Sequence, residues 1–337
     1  MVNAIVTASE GIDLLAALGA QVEVRDARTV TLSIDGQRTI ARVHVRRSVP
    51  SRWDIQRDVD VDRAGGGDAG ILLYVVPQAT AALTKVASND SRIAVVSVSD
   101  RVVILAGMRM EVSVPGLFMA PRNAVAPRRG RIAWGRFALL RTLLRTSRPR
   151  TQIELATECG VSQVAISHSL RVLGNAVVRD ESGWRAVRPE MLWEKFLAEY
   201  PGPQGITSYW LGLEPIVRQA NAVMAATVEL GCLVSGDTAA DLIAPWRIGI
   251  KAVVYARSGV GLARFGFAET TRASATLEFV VPADPTIWAT ALAWAPKMSH
   301  TVVDPVLVAW DVQRIGGPDA AEAVARIQRT VLADWPS

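Results

Sequence analysis

Cysteine and histidine are almost absent from this chain. Two cysteines in 337 residues, Cys159 and Cys232, make neither a disulfide framework nor a zinc-ligand spacing, and a reducing compartment fits. Three histidines, His44, His168 and His300, are scattered, which argues against a histidine-built metal site. No apolar run reaches the roughly 20 residues of a membrane span. The first residues place no basic stretch ahead of an apolar core, and Glu10 and Asp13 interrupt the segment that comes nearest. A cytoplasmic protein without a cofactor is therefore expected. No Gly-x-Ser-x-Gly elbow, P-loop or dinucleotide glycine motif occurs. Lysine is scarce as well, with 4 Lys against 33 Arg, and arginine forms paired contacts that lysine cannot.

One further absence is local. From Val112 to Ile153 there is no Asp or Glu, while Arg122, Arg128, Arg129, Arg131, Arg136, Arg141, Arg145, Arg148 and Arg150 all fall inside the window. Charge of one sign repels itself unless something anionic lies opposite, and phosphate is the expected counter-charge. The arginine bias runs the length of the chain, so part of it reflects overall composition. Net charge is +5, and half of the residues are hydrophobic, enough for the cores of two or three domains.

At the end of this window the residues take on a regular pattern. Ile153, Leu155 and Ala156 give one apolar face of a short helix, which Cys159-Gly160 ends because glycine tolerates the positive φ of a tight turn. Val161 is an apolar plug, and Ser162 is an N-cap for a second helix. In that helix Val164, Ala165, Leu170, Val172 and Leu173 are expected to be buried, with Gln163, Ser167, His168 and Arg171 outward. After Gly174-Asn175, Val177–Arg179 and Trp184–Ala186 read as strands joined by a hairpin tip. The order is that of a winged helix-turn-helix. Structural three-helix packings imitate it, and the arginine window favours DNA.

Three regions are expected: residues 1-121, a mixed α/β domain; 131-188, the winged helix-turn-helix; and 206-335, an α/β domain. The fold class is thus multidomain α/β and α+β. In the first, Gly11–Leu18 reads as a helix. Val22–Val24, Thr29–Ile34 and Thr39–Val45 read as strands, as do the apolar runs Gly70–Val76 and Ile93–Val98. Asp54, Asp58, Asp60 and Asp62, interleaved with Arg52, Arg57 and Arg63, read as a solvated loop or helix end. Residues 121–130 form a Pro- and Arg-rich linker, and Met191–Tyr200 an amphipathic helix.

Two enzyme readings bear on the flanking regions. The strand order of the first region suits a restriction-endonuclease-like core, which needs an Asp on one strand and an acid-x-Lys on the next to hold Mg²⁺ and orient water. Thr39–Val45 carries no acid there. Leu233–Tyr255 suits a nucleotidyltransferase core, with Ser235-Gly236 at the turn. Its two metal-binding carboxylates would fall near Gly249 and Lys251, where a lysine repels a cation. Asp237 and Asp241 read as an N-cap acid and a surface acid. No catalytic or metal-ligating residue is assigned.

Linked segments carry a family resemblance over residues 131 to 332. They are Gly160-Val161-Ser162; Met191-Leu192-Trp193 to Tyr200; Gly236-Asp237-Thr238-Ala239-Ala240 with Ala244-Pro245 and the Lys251–Tyr255 strand; and Val303-Asp304-Pro305-Val306-Leu307-Val308 to Asp311 with Gly316-Gly317. In order and spacing they resemble the AbiEi-type antitoxins of type IV toxin–antitoxin systems and their transcription-regulator relatives. The resemblance implies a DNA-binding regulator whose C-terminal domain is a degenerate nucleotidyltransferase-like fold. Residues 1-121 lie outside it, with a sensor, a dimerisation unit and a second DNA-contacting unit as alternatives. The expected partner is double-stranded DNA. Gln163, Ser167, His168 and Arg171 would read bases. Arg128, Arg129, Arg131, Arg148, Arg150, Ser162, Arg179 and Arg185 would contact phosphate. The motif suggests a homodimer on an inverted repeat. A toxin-binding antitoxin, and a metal-dependent nuclease or nucleotidyltransferase, are the alternatives.

Overall fold

The computed structural model describes residues 6–34, 36–46, 48–64, 70–112, 132–297, 301–333 and 335. The chain is mixed α/β and divides into two compact units. One is Met1–Ala126 with Gln204–Ser208 and Ser258–Gly261; the other is Pro127–Pro203, Tyr209–Arg257 and Leu262–Ser337. No helix among the described residues is long and apolar enough to cross a membrane.

The first unit runs α1 (Ala8–Ala17), β1 (Gln21–Val24), β2 (Thr29–Ile34), β3 (Gln37–Val45), α2 (Arg52–Ala64), β4 (Ile71–Val76), α3 (Ala81–Asn89), β5 (Ile93–Ser97), β6 (Val102–Leu105) and β7 (Met108–Glu111). A capping box of Thr7 and Glu10 starts α1. The seven strands lie side by side in chain order. β3, β4 and β5 are parallel, joined by α2 and α3, and the strands on either side pair antiparallel. Alternation along β4 splits the core. Leu73 and Val75 join Leu15, Val30 and Val43 on the α1 face, while Leu72, Tyr74 and Val76 join Ile55 and Leu83 on the α2–α3 face.

The expectation for the Asp54–Asp62 run is corrected. It is a 13-residue helix, α2, and Asp58 and Asp62, one turn apart, are buried. They face Arg42 and His44 on one face of β3, and Arg46 just past its end. Arg42 Nε lies 3.1 Å from Asp62, His44 Nδ1 lies 3.4 Å from Asp58, and Arg46 pairs with Asp58. Tyr74 Oη also donates to Asp58, at 3.1 Å. Burial lowers the His44 pKa against the opposing pull of Asp58. Strand cations thus balance the acids of α2. Gly65–Gly67 and the linker at 121–130 lie outside the described residues.

The second unit contains α4 (Trp134–Leu143), α5 (Gln152–Cys159), α6 (Gln163–Leu173), β8 (Val177–Asp180), β9 (Gly183–Ala186), α7 (Pro189–Glu199), β10 (Ile206–Leu211), α8 (Ile216–Ala226), β11 (Leu233–Ser235), α9 (Gly236–Ile243), β12 (Ala252–Tyr255), β13 (Ala268–Glu269), β14 (Leu277–Val281), α10 (Ile287–Trp294), α11 (Pro305–Ile315) and α12 (Ala320–Leu332). A five-stranded sheet has the order β11-β12-β14-β10-β13. β11 and β12 are antiparallel, and β12 and β14 parallel with Val253 opposite Glu278. α8 begins after Pro215. α11 starts where Asp304 accepts the Leu307 N–H at 3.0 Å and Pro305 takes the first turn. α10 packs against α4 and α5.

Candidate nucleic-acid interface

Local signals build α5 and α6. Thr151 and Glu154 form a capping box at the start of α5. Gly160 ends it with φ 64° and ψ 36°, and Ser162 Oγ accepts the Ala165 N–H at 3.2 Å to open α6. Leu155 and Cys159 of α5, and Ile166, Ser169, Leu170 and Leu173 of α6, form the buried face. The Cys159 thiol lies 3.3 Å from Thr142 Oγ1, and burial pushes it up to about 12, so it remains a neutral core group. β8 and β9 pair from Val177↔Ala186 to Asp180↔Gly183, and Arg150 joins Trp184 by an isolated antiparallel bridge. Gly183 is required beside that bridge, because any Cβ there would strike the Arg150 backbone.

Two expectations about these helices are corrected. Val164 and Val172 are not buried but 79% and 52% exposed, and Ile153 of α5 is 66% exposed. The buried α6 residues 166, 169, 170 and 173 follow the i, i+3, i+4, i+7 rule, which leaves 164 and 172 on the far side. Gln163, His168 and Arg171 are exposed, and Ser167 is half-buried on the same side. A shallow groove beside them is lined by Ile153, Ala156, Thr157, Gly160, Val161, Ser162 and Gln163.

The arginine window also reads differently in three dimensions. Arg150 is 3% exposed, so it is not placed to contact phosphate. Its guanidinium donates to Thr142 O (3.0 Å), Leu143 O (3.4 Å) and Glu158 Oε2 (2.7 Å), satisfying the C-terminal carbonyls of α4. Arg136 pairs with Glu199, Arg145 with Glu158, and Arg141 with Asp284 and Asp304. Acids outside the window, Glu158, Glu199, Asp284 and Asp304, balance these four. Arg148 and Arg179 are exposed, as is Ser162. Arg185 is half-exposed, 3.5 Å from Asp180. Arg128, Arg129 and Arg131 lie outside the described residues.

Arg141 anchors this region to the rest of its unit. Fully buried on α4, it donates to Thr290 Oγ1 (3.1 Å), Asp304 Oδ2 (2.8 Å), Asp284 Oδ2 (3.3 Å) and Thr286 Oγ1 (2.7 Å). Tyr200 donates to Asp284 at 2.9 Å. Burial opposes the charge on Arg141, but Asp304 and Asp284 outweigh it and raise its pKa.

Around Ser235-Gly236 the carboxylates are occupied by the chain's own donors. Asp237 is buried rather than a free cap. It accepts from Arg247 Nε at 3.0 Å and from the backbone N–H groups of Ile250 (2.8 Å) and Lys251 (3.1 Å). Asp241 is exposed. Sequence reasoning passed over Glu278 and gave Asp311 no role beyond the family resemblance; both are single acids inside apolar runs. Glu278 receives Lys251 Nζ at 3.2 Å and Arg314 at 2.8 Å. Asp311 accepts from Ser235 Oγ (2.7 Å) and Tyr255 Oη (2.8 Å) and pairs with Arg314 at 3.0 Å. Among the described residues no group of three or more His, Cys, Asp and Glu is placed to hold a metal ion.

Burial would raise the Glu278 pKa, but Arg314 and then Lys251 outweigh it and hold the carboxyl below the usual glutamate range. The resulting stability is complete above the unfolded value of about 4.3 and lost as pH falls through the lower folded value. Melting curves at descending pH should therefore show Glu278→Gln losing less stability than wild type below about pH 4.3. Parallel acid profiles would show that Glu278 does not supply this stability. No family model, curated protein or solved structure matches this chain.

Proposed function

We propose that residues 131-188 form a winged helix-turn-helix and that the chain is a sequence-specific regulator of transcription that binds double-stranded DNA, akin to the AbiEi-type antitoxins. One observation carries the reading. The outward face of α6, held by a three-helix core and a two-stranded wing, is open and free of acids, and it presents Gln163, His168 and Arg171. Glutamine pairs with the adenine edge and arginine with the guanine edge in the major groove. Arg148, Arg179 and Arg185 are the described phosphate contacts, the last shared with Asp180.

The flanking regions support folds without assigned chemistry. The αβββαβ start of the first unit suits a restriction-endonuclease-like core whose third strand carries Arg42 and His44 in place of acids. β11, α9, β12 and β14 suit a nucleotidyltransferase-like core with Lys251 and Arg314 against Glu278 in place of a metal.

The test is selection of bound duplexes from a random pool at fixed salt. Wild type should enrich one sequence, with affinity falling steeply as salt rises. Gln163→Ala with Arg171→Ala should lose about 1–3 kcal/mol of discrimination per base pair read. Unchanged selectivity in the double variant would overturn the assignment of α6. A second reading, a protein-binding antitoxin, is favoured by the exposed Leu213, Trp246, Ile248 and Ile250. A protein toxin co-purifying with wild type and lost on Ile248→Asp would support it.

A further inference from the structure

The outward face of α6 carries two parallel ridges. Gln163, Ser167 and Arg171 succeed one another every four residues, and Val164, His168 and Val172 form the adjacent row. The first ridge is polar. The second places two exposed valines on a helix whose apolar side is already packed through Ile166, Leu170 and Leu173. Neither valine serves the core.

We propose that Val164 and Val172 are specificity residues that recognise the 5-methyl groups of thymines in the major groove. The proposal rests on the DNA-binding reading of α6. The thymine methyl is the apolar feature of the major-groove edge, and small apolar side chains meet it there. The polar ridge beside the valines supplies the hydrogen-bonding side of the same readout. The absence of acids along α6 suits close approach to phosphate. The two valines are eight residues apart, roughly 12 Å along the helix axis at 1.5 Å per residue. With a base rise of about 3.4 Å, a helix running along the groove would span about three to four base pairs between the two thymines.

The experiment uses the full chain and the duplex enriched from the random pool. Each thymine is replaced in turn by deoxyuridine, which removes the methyl and leaves pairing unchanged. Two thymines should show a loss of about fourfold in affinity each, the worth of one buried carbon. Val164→Ala should abolish the sensitivity at one of them and Val172→Ala at the other, while the positions read by Gln163 and Arg171 keep their preference. Both valines are on the surface, so circular dichroism should show the alanine variants folded as wild type. If wild type enriches a sequence but binds thymine and deoxyuridine duplexes equally, the methyl reading is wrong and the DNA reading stands. If no sequence is enriched, the DNA reading fails and takes the proposal with it.

Discussion

Arg141→Met should destabilise the second unit by about 3–5 kcal/mol, the usual result of breaking a buried ion pair from one side. The side chain is fully buried, and its removal leaves Asp284 and Asp304 facing each other without their shared cation. Their remaining partners, Tyr200, Thr286, Thr290 and the Leu307 N–H, are neutral. A whole domain is stable by only about 5–15 kcal/mol, so the variant should unfold at markedly lower denaturant. Adding Asp284→Asn and Asp304→Asn should recover part of the loss, because both buried charges then disappear. A methionine variant that unfolds at the wild-type denaturant concentration would refute this role for Arg141.

The second large effect is expected at Gly160. Its φ of 64° is strained for any other residue, and a Cβ there would stand 2.6 Å from that of Ala289 on α10. Backbone strain and overpacking together predict that Gly160→Val costs about 2–5 kcal/mol. The substitution touches no side chain on the outward face of α6. If it weakens the proposed DNA binding in samples still folded by circular dichroism, the seating of α5 against α10 positions α6. Wild-type stability would show that α10 can yield at this point.

Much of the α5–α6 region was legible because its signals are local. A capping box, a left-handed glycine, a serine N-cap and a hairpin tip each act within a few residues. The misassigned valines show the limit of residue type as a guide. Val164 and Val172 are apolar, but the helical repeat through 166, 170 and 173 turns them outward. Four arginines of the window, Arg136, Arg141, Arg145 and Arg150, were misread for a different reason. Their counter-charges, Glu158, Glu199, Asp284 and Asp304, arrive from other elements, the last of them 163 residues from Arg141. α2 was hidden likewise: its acids look solvated until β3 and the residue after it supply Arg42, His44 and Arg46. Burial of charge depends on tertiary pairing, which composition does not reveal.

The order of strands also bears on how the chain reaches its fold. In the first unit every strand pairs with its neighbours in the chain, so the sheet can grow edge by edge as synthesis proceeds, and none must be inserted between two already joined. The second sheet has the opposite history. β10 is made first yet ends between β14 and β13, so both of its edges stay open until those later strands emerge. The seven-stranded sheet, complete by Glu111, should therefore form early on the ribosome. The C-terminal sheet, with an unpaired strand in waiting, is where misfolding and chaperone dependence should concentrate.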